Sequence, residues 1–385
     1  MIPYGRHDVS GEDERAVLEV LRSDFLTQGP TVPRFEREVA SRVGASHAVA
    51  VNSATSALHI ACLALGLGPG DLLWTVPNTF IASANCARYC GAEVDFVDID
   101  ARSRNMSVQA LAGKLARAAV KGRLPKVVIP VHFSGLPCDM AEIRQLSREY
   151  GFFVIEDASH AVGARYQQTS VGDCKFSDIT VMSFHPVKII TSAEGGMALT
   201  NDAELAHRMG LFRNHGMERD AERFVHVPPE GPWVYEMQVL GFNSRLTDVH
   251  AALGISQMAR LDQILQTRTA IAGRYDRLLA GLPVIGPAPA PDRTSAWHLY
   301  VIELGADLKS RRVGVFASLR AAGIGVAVHY IPVHLQPYYR SLGFQAGDFP
   351  VAENYYARAM TLPLYPGLDT EKQDAVVQAL RNSLQ

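Results

Sequence analysis

The sequence has few cysteines and no arrangement of them that suits a metal site or a disulfide framework. The five cysteines among 385 residues are odd in number and scattered, and no C-x-x-C pair occurs. A disulfide-stabilised secreted domain or a zinc site is therefore not expected, and no metal is predicted. Residues 1–6 lack the apolar core of a signal peptide, so we expect a cytoplasmic protein.

Charge is also in short supply. Lys and Arg total 37 against 39 for Asp and Glu, a net charge of −2, whereas a dedicated nucleic-acid binder needs a basic face. Between residues 48 and 87 the only charged residue is Asp71. Polar side chains such as Asn52 and His59 nevertheless interrupt this stretch, and a membrane span wants a predominantly apolar run. We therefore predict buried strands and helices here, with neither nucleic acid nor membrane as partner.

Hydrophobic residues make up 48% and charged residues 20%, which is typical of a globular protein of two domains. Short apolar strands alternate with helical patterns up to about residue 200, which predicts an α/β fold with a mostly parallel sheet and helices on both faces. The predicted strands are residues 47–51, 72–76, 94–97, 127–131, 152–155, 179–183 and 196–200.

The pattern changes near residue 254. A long helix is predicted over residues 255–280, followed by a Pro-rich connector. Beyond it we predict strands near residues 299–303 and 325–329, a helix near 314–322 and a final helix from residue 370. The sequence therefore predicts a large domain over residues 1–254 and a smaller α+β domain over residues 255–385.

Residues that suggest a ligand-binding site lie at the ends of predicted strands, where open α/β sheets bind ligands. Residues 52–56 combine small side chains with a helix N-terminus, which suits an anion such as phosphate. An ordinary capping turn explains them equally well. Asp157 follows an apolar strand and can keep a ring nitrogen protonated, with His160 three residues further on. A helix cap and a satisfied core histidine are the alternative for this pair.

Lys188 follows another strand among apolar neighbours, where a desolvated lysine acquires a lowered pKa and can form a Schiff base. Ser183 adds a hydroxyl for a phosphate. The alternative is a lysine in a surface loop, the commonest location for this residue type. Phe80 follows a further strand and can stack on a planar ring or fill a core. Taken together, these signals match the needs of pyridoxal 5′-phosphate (PLP).

Seven motifs resemble the DegT/StrS group of nucleotide-sugar aminotransferases, which are fold type I PLP-dependent transferases. The motifs are residues 26–29, 52–58, 157–160, 183–188, 194–196, 213–217 and 241–245. The resemblance covers nearly the whole chain. It implies a mostly parallel central sheet with flanking helices, plus a smaller C-terminal α+β domain.

The resemblance also implies roles. Lys188 would carry the Schiff base and then shuttle a proton, Asp157 would pair with the pyridine nitrogen, and His160 would lie near the 3-oxygen of the cofactor. Phe80 would stack on the ring. The residues implied to hold the phosphate are Ala54, Thr55, Ser183 and, from the second subunit of a homodimer with shared active sites, Asn243. Those implied to face the sugar nucleotide are Tyr4, Asp24, Phe25, Leu26, Thr27, Val328, His329, Tyr330 and Ile331.

Within the family, the sequence is most similar to the branch that serves pseudaminic acid biosynthesis. This similarity implies L-glutamate as the amino donor and a UDP-linked 4-keto-6-deoxy-N-acetyl-hexosamine as the acceptor. A dehydratase branch has histidine in place of the lysine, so Lys188 favours transamination. The alternatives are an aminotransferase for another keto-6-deoxy sugar nucleotide, a PLP-dependent sugar dehydratase and a non-catalytic homologue.

Overall fold

The computed structural model describes residues 1–226, 230–288 and 290–385, which contain thirteen α-helices and fifteen β-strands. The helices are α1 (Gly11–Leu21), α2 (Thr31–Val43), α3 (Ala54–Ala64), α4 (Ala82–Tyr89), α5 (Val108–Val120), α6 (Met140–Tyr150), α7 (Ala203–Arg213), α8 (Asp248–Ala259), α9 (Leu261–Leu278), α10 (Arg312–Ala321), α11 (Pro337–Arg340), α12 (Pro350–Tyr356) and α13 (Thr370–Leu384). The strands are β1 (His47–Val51), β2 (Leu72–Thr75), β3 (Glu93–Phe96), β4 (Val127–Val128), β5 (Phe153–Asp157), β6 (Arg165–Tyr166), β7 (Thr169–Ser170), β8 (Ile179–Ser183), β9 (Gly196–Thr200), β10 (Met217–Glu218), β11 (Glu236–Met237), β12 (Val284–Ile285), β13 (Arg293–Thr294), β14 (Tyr300–Leu304) and β15 (Ala359–Leu362).

A seven-stranded sheet with the order β1-β9-β8-β5-β4-β2-β3 forms the centre of the molecule. Strands β8, β5, β4, β2 and β3 pair in parallel, and β9 pairs antiparallel with both β8 and β1. The prediction of an α/β fold with a mostly parallel sheet is confirmed.

Side chains that alternate along β1 and β8 contribute to two separate apolar cores on opposite faces of this part of the sheet. On β1, Val49 and Val51 join the core beneath α3, α4, α5 and α6, whereas Ala50 joins the core beneath α2 and α8. On β8, Val181 and Met182 divide in the same way. Because strand side chains alternate with period two, β1 and β8 are packed on both faces.

Two predicted strands differ from the structure. The strand expected over residues 127–131 is hydrogen-bonded as a ladder only at Val127–Val128, since Pro130 has no N–H to donate. No strand forms over residues 325–329, where Ala327 makes only an isolated bridge with Thr361. Beyond Ala327 the chain leaves the sheet edge and enters a cavity described below.

The long helix predicted over residues 255–280 is two helices, α8 and α9, which meet at Arg260. The backbone of Arg260 departs from helical geometry, and its guanidinium contacts the carboxylates of Asp8 and Asp13 at 2.8 Å each. Asp13 also completes the capping box with Ser10 that begins α1. The tertiary ion pairs hold the junction, and helical periodicity alone does not reveal such a break.

The C-terminal part of the chain contains the three-stranded sheet β12-β14-β15, packed against α9, α10 and α13 around a third apolar core. The predicted boundary after residue 254 falls inside α8, whose Ala251 and Met258 pack in the core of the central sheet. The division into two domains stays a prediction. Among the described residues, no helix combines the length and apolar character that crossing a membrane requires.

Candidate active site

A cavity of about 380 Å³ lies where β5, β8 and the N-terminus of α3 come together. Asp157 ends β5 and Ser183 ends β8, and these strands are parallel, so both residues reach the same edge of the sheet. Ten of the predicted site residues line this cavity: Tyr4, Ala54, Thr55, Phe80, Asp157, His160, Ser183, Lys188, His329 and Tyr330.

The N-terminus of α3 forms one wall. Ser53 caps the helix, because its hydroxyl accepts from the amide of Ser56 at 3.1 Å. The amides of the first turn, at Ala54 and Thr55, have no acceptor within the helix. Gly196 on β9 lies directly against them, and a Cβ there would sit 2.4 Å from the Ala54 nitrogen. The missing side chain therefore lets β9 pack against a helix end suited to a phosphate.

Asp157 is 5% exposed and is held by two donors. The Ser83 hydroxyl donates to its Oδ2 at 2.6 Å, and the amide of Ser159 donates to its Oδ1 at 3.1 Å. These bonds fix the plane of the carboxylate. The group is thus oriented to hold a proton on a ring nitrogen.

The Lys188 side chain enters the same cavity from the turn after β8, where its amide donates to the His185 carbonyl at 2.9 Å. Burial lowers the pKa of its ammonium group to about 8, although the nearby charge of Asp157 opposes the shift. A substantial fraction of the amine is therefore neutral near physiological pH and able to attack a carbonyl.

His160 is buried and hydrogen-bonded through both ring nitrogens. Its Nδ1 accepts from the amide of Ser134 at 3.3 Å, which leaves the ring proton on Nε2, 3.1 Å from the Tyr330 hydroxyl. Burial lowers the pKa of His160 well below its usual range, with Lys188 and His329 adding to the effect. The neutral imidazole donates to Tyr330, so the hydroxyl proton of Tyr330 remains free to donate elsewhere.

Aromatic rings close the opposite side of the cavity. Phe80 is 57% exposed, and its ring centroid lies 6.3 Å from that of Tyr330. Both residues also line a neighbouring groove of about 730 Å³, together with Val328 and Ile331. The cavity and the groove are therefore adjacent, and a ligand can extend from one into the other.

A family model for the DegT/DnrJ/EryC1/StrS aminotransferases matches residues 7–381. This chain belongs to the DegT/DnrJ/EryC1/StrS aminotransferase family. The membership and the fold type expected from the sequence motifs are confirmed. The chain is therefore a sugar aminotransferase of a family whose cofactor is PLP.

Individual relatives are similar to this chain over nearly its full length. The spore coat polysaccharide biosynthesis protein SpsC of Bacillus subtilis is 40% identical, covering 99% of this chain and 96% of SpsC. Helicobacter pylori PseC, an aminotransferase involved in the biosynthesis of pseudoaminic acid, superposes with a TM-score of 0.91 at 30% identity, covering 100% and 99% of the two chains. The PLP form of a putative sugar aminotransferase, Spr1654 of Streptococcus pneumoniae, superposes with a TM-score of 0.89 at 28% identity, covering 100% and 98%.

Seven predicted residues of the aminotransferase do not line this cavity within the described part of the chain: Val328 and Ile331 line the adjacent groove, and five line neither the cavity nor the groove. Asn243 is exposed and bridges Asn214 through its backbone. The segment 24–27 is also exposed, and Thr27 bridges Thr247 close to Asn243 in sequence. The structure thus places these two segments near one another on the surface. The outlying residues are Asp24, Phe25, Leu26, Thr27 and Asn243.

Three residues that contact the predicted ones escaped the sequence analysis: Ser83, Ser134 and His298. Ser83 holds Asp157 from 74 residues away, and Ser134 holds His160. His298 lines the cavity beside His160, with ring centroids 4.3 Å apart. No spacing or motif in the sequence links these positions, because each contact is made between separate elements.

Proposed function

We propose that the chain transfers an amino group from L-glutamate to the 4-keto carbon of a UDP-4-keto-6-deoxy-N-acetyl-hexosamine. The product would be a UDP-4-amino-4,6-dideoxy-N-acetyl-hexosamine. This activity is that of a UDP-4-amino-4,6-dideoxy-N-acetyl-β-L-altrosamine transaminase. The observation that carries the proposal is a lysine with a pKa lowered to about 8, placed in one cavity with Asp157. The full-length likeness to PseC supports the choice of sugar.

The described residues suit the cofactor on three counts. Gly196 leaves room at the free amides of α3, Asp157 presents an oriented carboxylate, and Phe80 offers an aromatic face. When bound, PLP supplies an aldehyde that takes up amino groups and a ring that withdraws electrons. We assign Ala54, Thr55 and Ser183 to its phosphate and His160 to its 3-oxygen.

Lys188 has a second task in this proposal. A proton must leave the donor carbon that bears the amino group, and in the second half of the reaction a proton must be added to the sugar carbon that receives that group. We assign Nζ of Lys188 to take up the first proton and to deliver the second, because its pKa of about 8 lets it both accept and release a proton near neutral pH. The rings of Phe80 and Tyr330 line the same cavity as Lys188.

The acceptor would lie in the groove beside the cavity. Tyr4, Val328, His329, Tyr330 and Ile331 line the cavity or the groove, which supports their assignment to the sugar nucleotide. His329 donates to or accepts from the Thr361 hydroxyl at 2.7 Å through Nδ1, so its orientation is held. Burial, and then the proximity of Lys188, lower the pKa of His329 to about 4, so it is neutral when it meets substrate.

We further propose a homodimer in which each chain completes the site of the other. The segment that follows β10 ends at Asn243 and exposes large apolar side chains, among them Trp233 at 72%, Met237 at 65% and Leu240 at 79%. Several exposed large apolar side chains within one segment are typical of a surface that binds a partner. A second chain covering it would bring Asn243 and residues 24–27 of each subunit to the neighbouring site.

The deciding experiment mixes the PLP-loaded protein with L-glutamate and a panel of 4-keto and 3-keto sugar nucleotides. The proposal expects 2-oxoglutarate and an amino sugar to form in equal amounts, with the UDP-linked 4-keto-6-deoxy-N-acetyl sugar preferred. A different preferred sugar would replace the assigned acceptor. Loss of a hydroxyl without amino transfer would indicate a dehydratase, and absence of any PLP uptake would indicate a non-catalytic homologue.

The pH dependence of cofactor uptake tests the state of Lys188. Only the neutral amine attacks an aldehyde, so below a pKa of about 8 its fraction falls about tenfold per pH unit. We expect the rate of PLP uptake by the cofactor-free protein to rise about tenfold between about pH 6 and pH 7 and to level off above about pH 8. His160 and His329 stay neutral throughout this range. Absorbance measures the rate of PLP uptake. A rate that does not change with pH would contradict the assignment of a lowered pKa to Lys188.

Asn243→Ala tests the shared site. The variant lacks the side-chain amide and would lose one hydrogen bond to the charged phosphate of PLP. We therefore expect its PLP affinity to fall about tenfold while the protein stays folded. Equilibrium dialysis measures the affinity, and sedimentation checks that the dimer persists. The exposed Asn382 on α13 supplies the matched control, Asn382→Ala. Equal PLP affinity in the two variants would count against a partner role for Asn243.

A further inference from the structure

His298 forms part of the cavity wall beside His160 and has no role in the assignments above. It is 5% exposed, and its ring centroid lies 4.3 Å from that of His160. Its Nδ1 is completely buried without a hydrogen-bond partner in the described part of the chain, and no described residue bonds its Nε2. Because His298 lines the cavity, its Nε2 remains available for a hydrogen bond with a ligand there.

The backbone around His298 is held firmly. Its amide donates to the Ser134 carbonyl at 3.0 Å, and the Ser134 hydroxyl donates to the Leu299 carbonyl at 2.6 Å. The buried guanidinium of Arg268 donates to the Trp297 carbonyl at 3.0 Å. The imidazole is therefore positioned in advance, as expected of a group that orients a ligand.

The ring is uncharged, and its available nitrogen is a donor. Burial lowers the pKa of His298 well below its usual range, and His160 and Lys188 add to the shift. A proton on Nδ1 would be a buried donor without an acceptor, whereas a proton on Nε2 can be met by a ligand in the cavity. The tautomer with Nε2–H is favoured for this reason.

The cavity is short of cations for an anionic substrate. Lys188 is the only lysine or arginine among the described residues that line it, and in the proposed reaction Lys188 is engaged in chemistry. The donor amino acid carries carboxylates, which must lie near Lys188 when its amino group reacts there. Neutral N–H and O–H groups are then what the chain itself offers to those carboxylates.

We propose that Nε2–H of His298 binds a carboxylate of the amino-acid donor. This inference rests on the proposed function, because it takes the donor from it. His298 thereby selects for the donor rather than for the sugar nucleotide. It acts as a binding residue and transfers no proton.

Two variants distinguish the contribution of the His298 hydrogen bond from that of the volume of its ring. His298→Phe keeps a ring against His160 but has no N–H, whereas His298→Gln places an amide donor near the position of Nε2. The probe is glutarate, a dicarboxylate that has no amino group and cannot react, titrated by calorimetry into each PLP-loaded protein. We expect the glutarate Kd to rise at least about tenfold in His298→Phe and to return to within about threefold of wild type in His298→Gln. UDP, the probe for the sugar nucleotide site, should bind all three equally.

Three results would overturn the inference: unchanged glutarate affinity in His298→Phe, an equal loss of UDP affinity, or no glutarate binding by the wild type. If His298→Phe does not fold, nitrogen NMR of the wild type decides, with the His298 signal assigned by its absence from His298→Gln. Glutarate should shift the Nε2 signal, and a constant signal overturns the inference. A wild type that binds glutarate but aminates no sugar nucleotide refutes the proposed function and leaves the role of His298 standing.

Discussion

Replacing Lys188 with alanine is expected to lower turnover by at least about 10³-fold, because one side chain supplies both the nucleophile and the proton carrier. The cavity contains no other lysine in the described residues, so no neighbour can substitute for it. Steady-state formation of 2-oxoglutarate measures the loss. The absorbance of the purified variant should also lack the band that a lysine-linked cofactor gives.

The exposed Lys175 provides the matched control for that experiment. It lies in the loop before β8 and does not line the cavity. Lys175→Ala should therefore retain wild-type turnover and cofactor content. Turnover by Lys188→Ala at the wild-type rate would remove the basis for the proposed chemistry, since no other described residue combines a lowered amine pKa with this position.

Asp157→Asn is expected to have the second largest effect, a fall in turnover of about 100-fold. The carboxylate is oriented by Ser83 and the Ser159 amide, and the proposed function needs its charge to keep a ring nitrogen protonated. A hydrogen bond to a charged group contributes about 1.5–3 kcal/mol, which corresponds to a factor of about 10 to 150. Asparagine keeps the volume of the side chain but loses the charge.

Glu156→Gln is the control for charge removal on the same strand. Glu156 is also buried, but it faces away from the cavity and contacts His132 at 2.8 Å. We expect this variant to lose stability while its turnover per folded molecule remains within about threefold of wild type. If Asp157→Asn and Glu156→Gln lowered turnover per folded molecule equally, a specific role for the Asp157 charge would be refuted.

Ser83 and Ser134 illustrate why part of the site was out of reach of sequence reasoning. Asp157 and Lys188 stand in short stretches with a chemical pattern of their own, an acid or an amine after an apolar strand. Ser83 and Ser134 have no such pattern, and they act only through residues 74 and 26 positions away. The same limit applies to the junction at Arg260, whose ion pairs reach back to Asp8 and Asp13.

The sequence by itself determined the alternation of short apolar strands with helices, the family and the reactive side chains at the strand ends. These features are local, because neighbouring residues determine the burial pattern of a strand and the chemistry of a turn. Only the tertiary structure decided how those side chains are held, and that the His298 ring beside them has no hydrogen-bond partner among the described residues. It also showed that Asn243 and residues 24–27 lie outside the cavity of their own chain. Contacts between distant segments depend on how helices and sheets pack, and no local pattern encodes them.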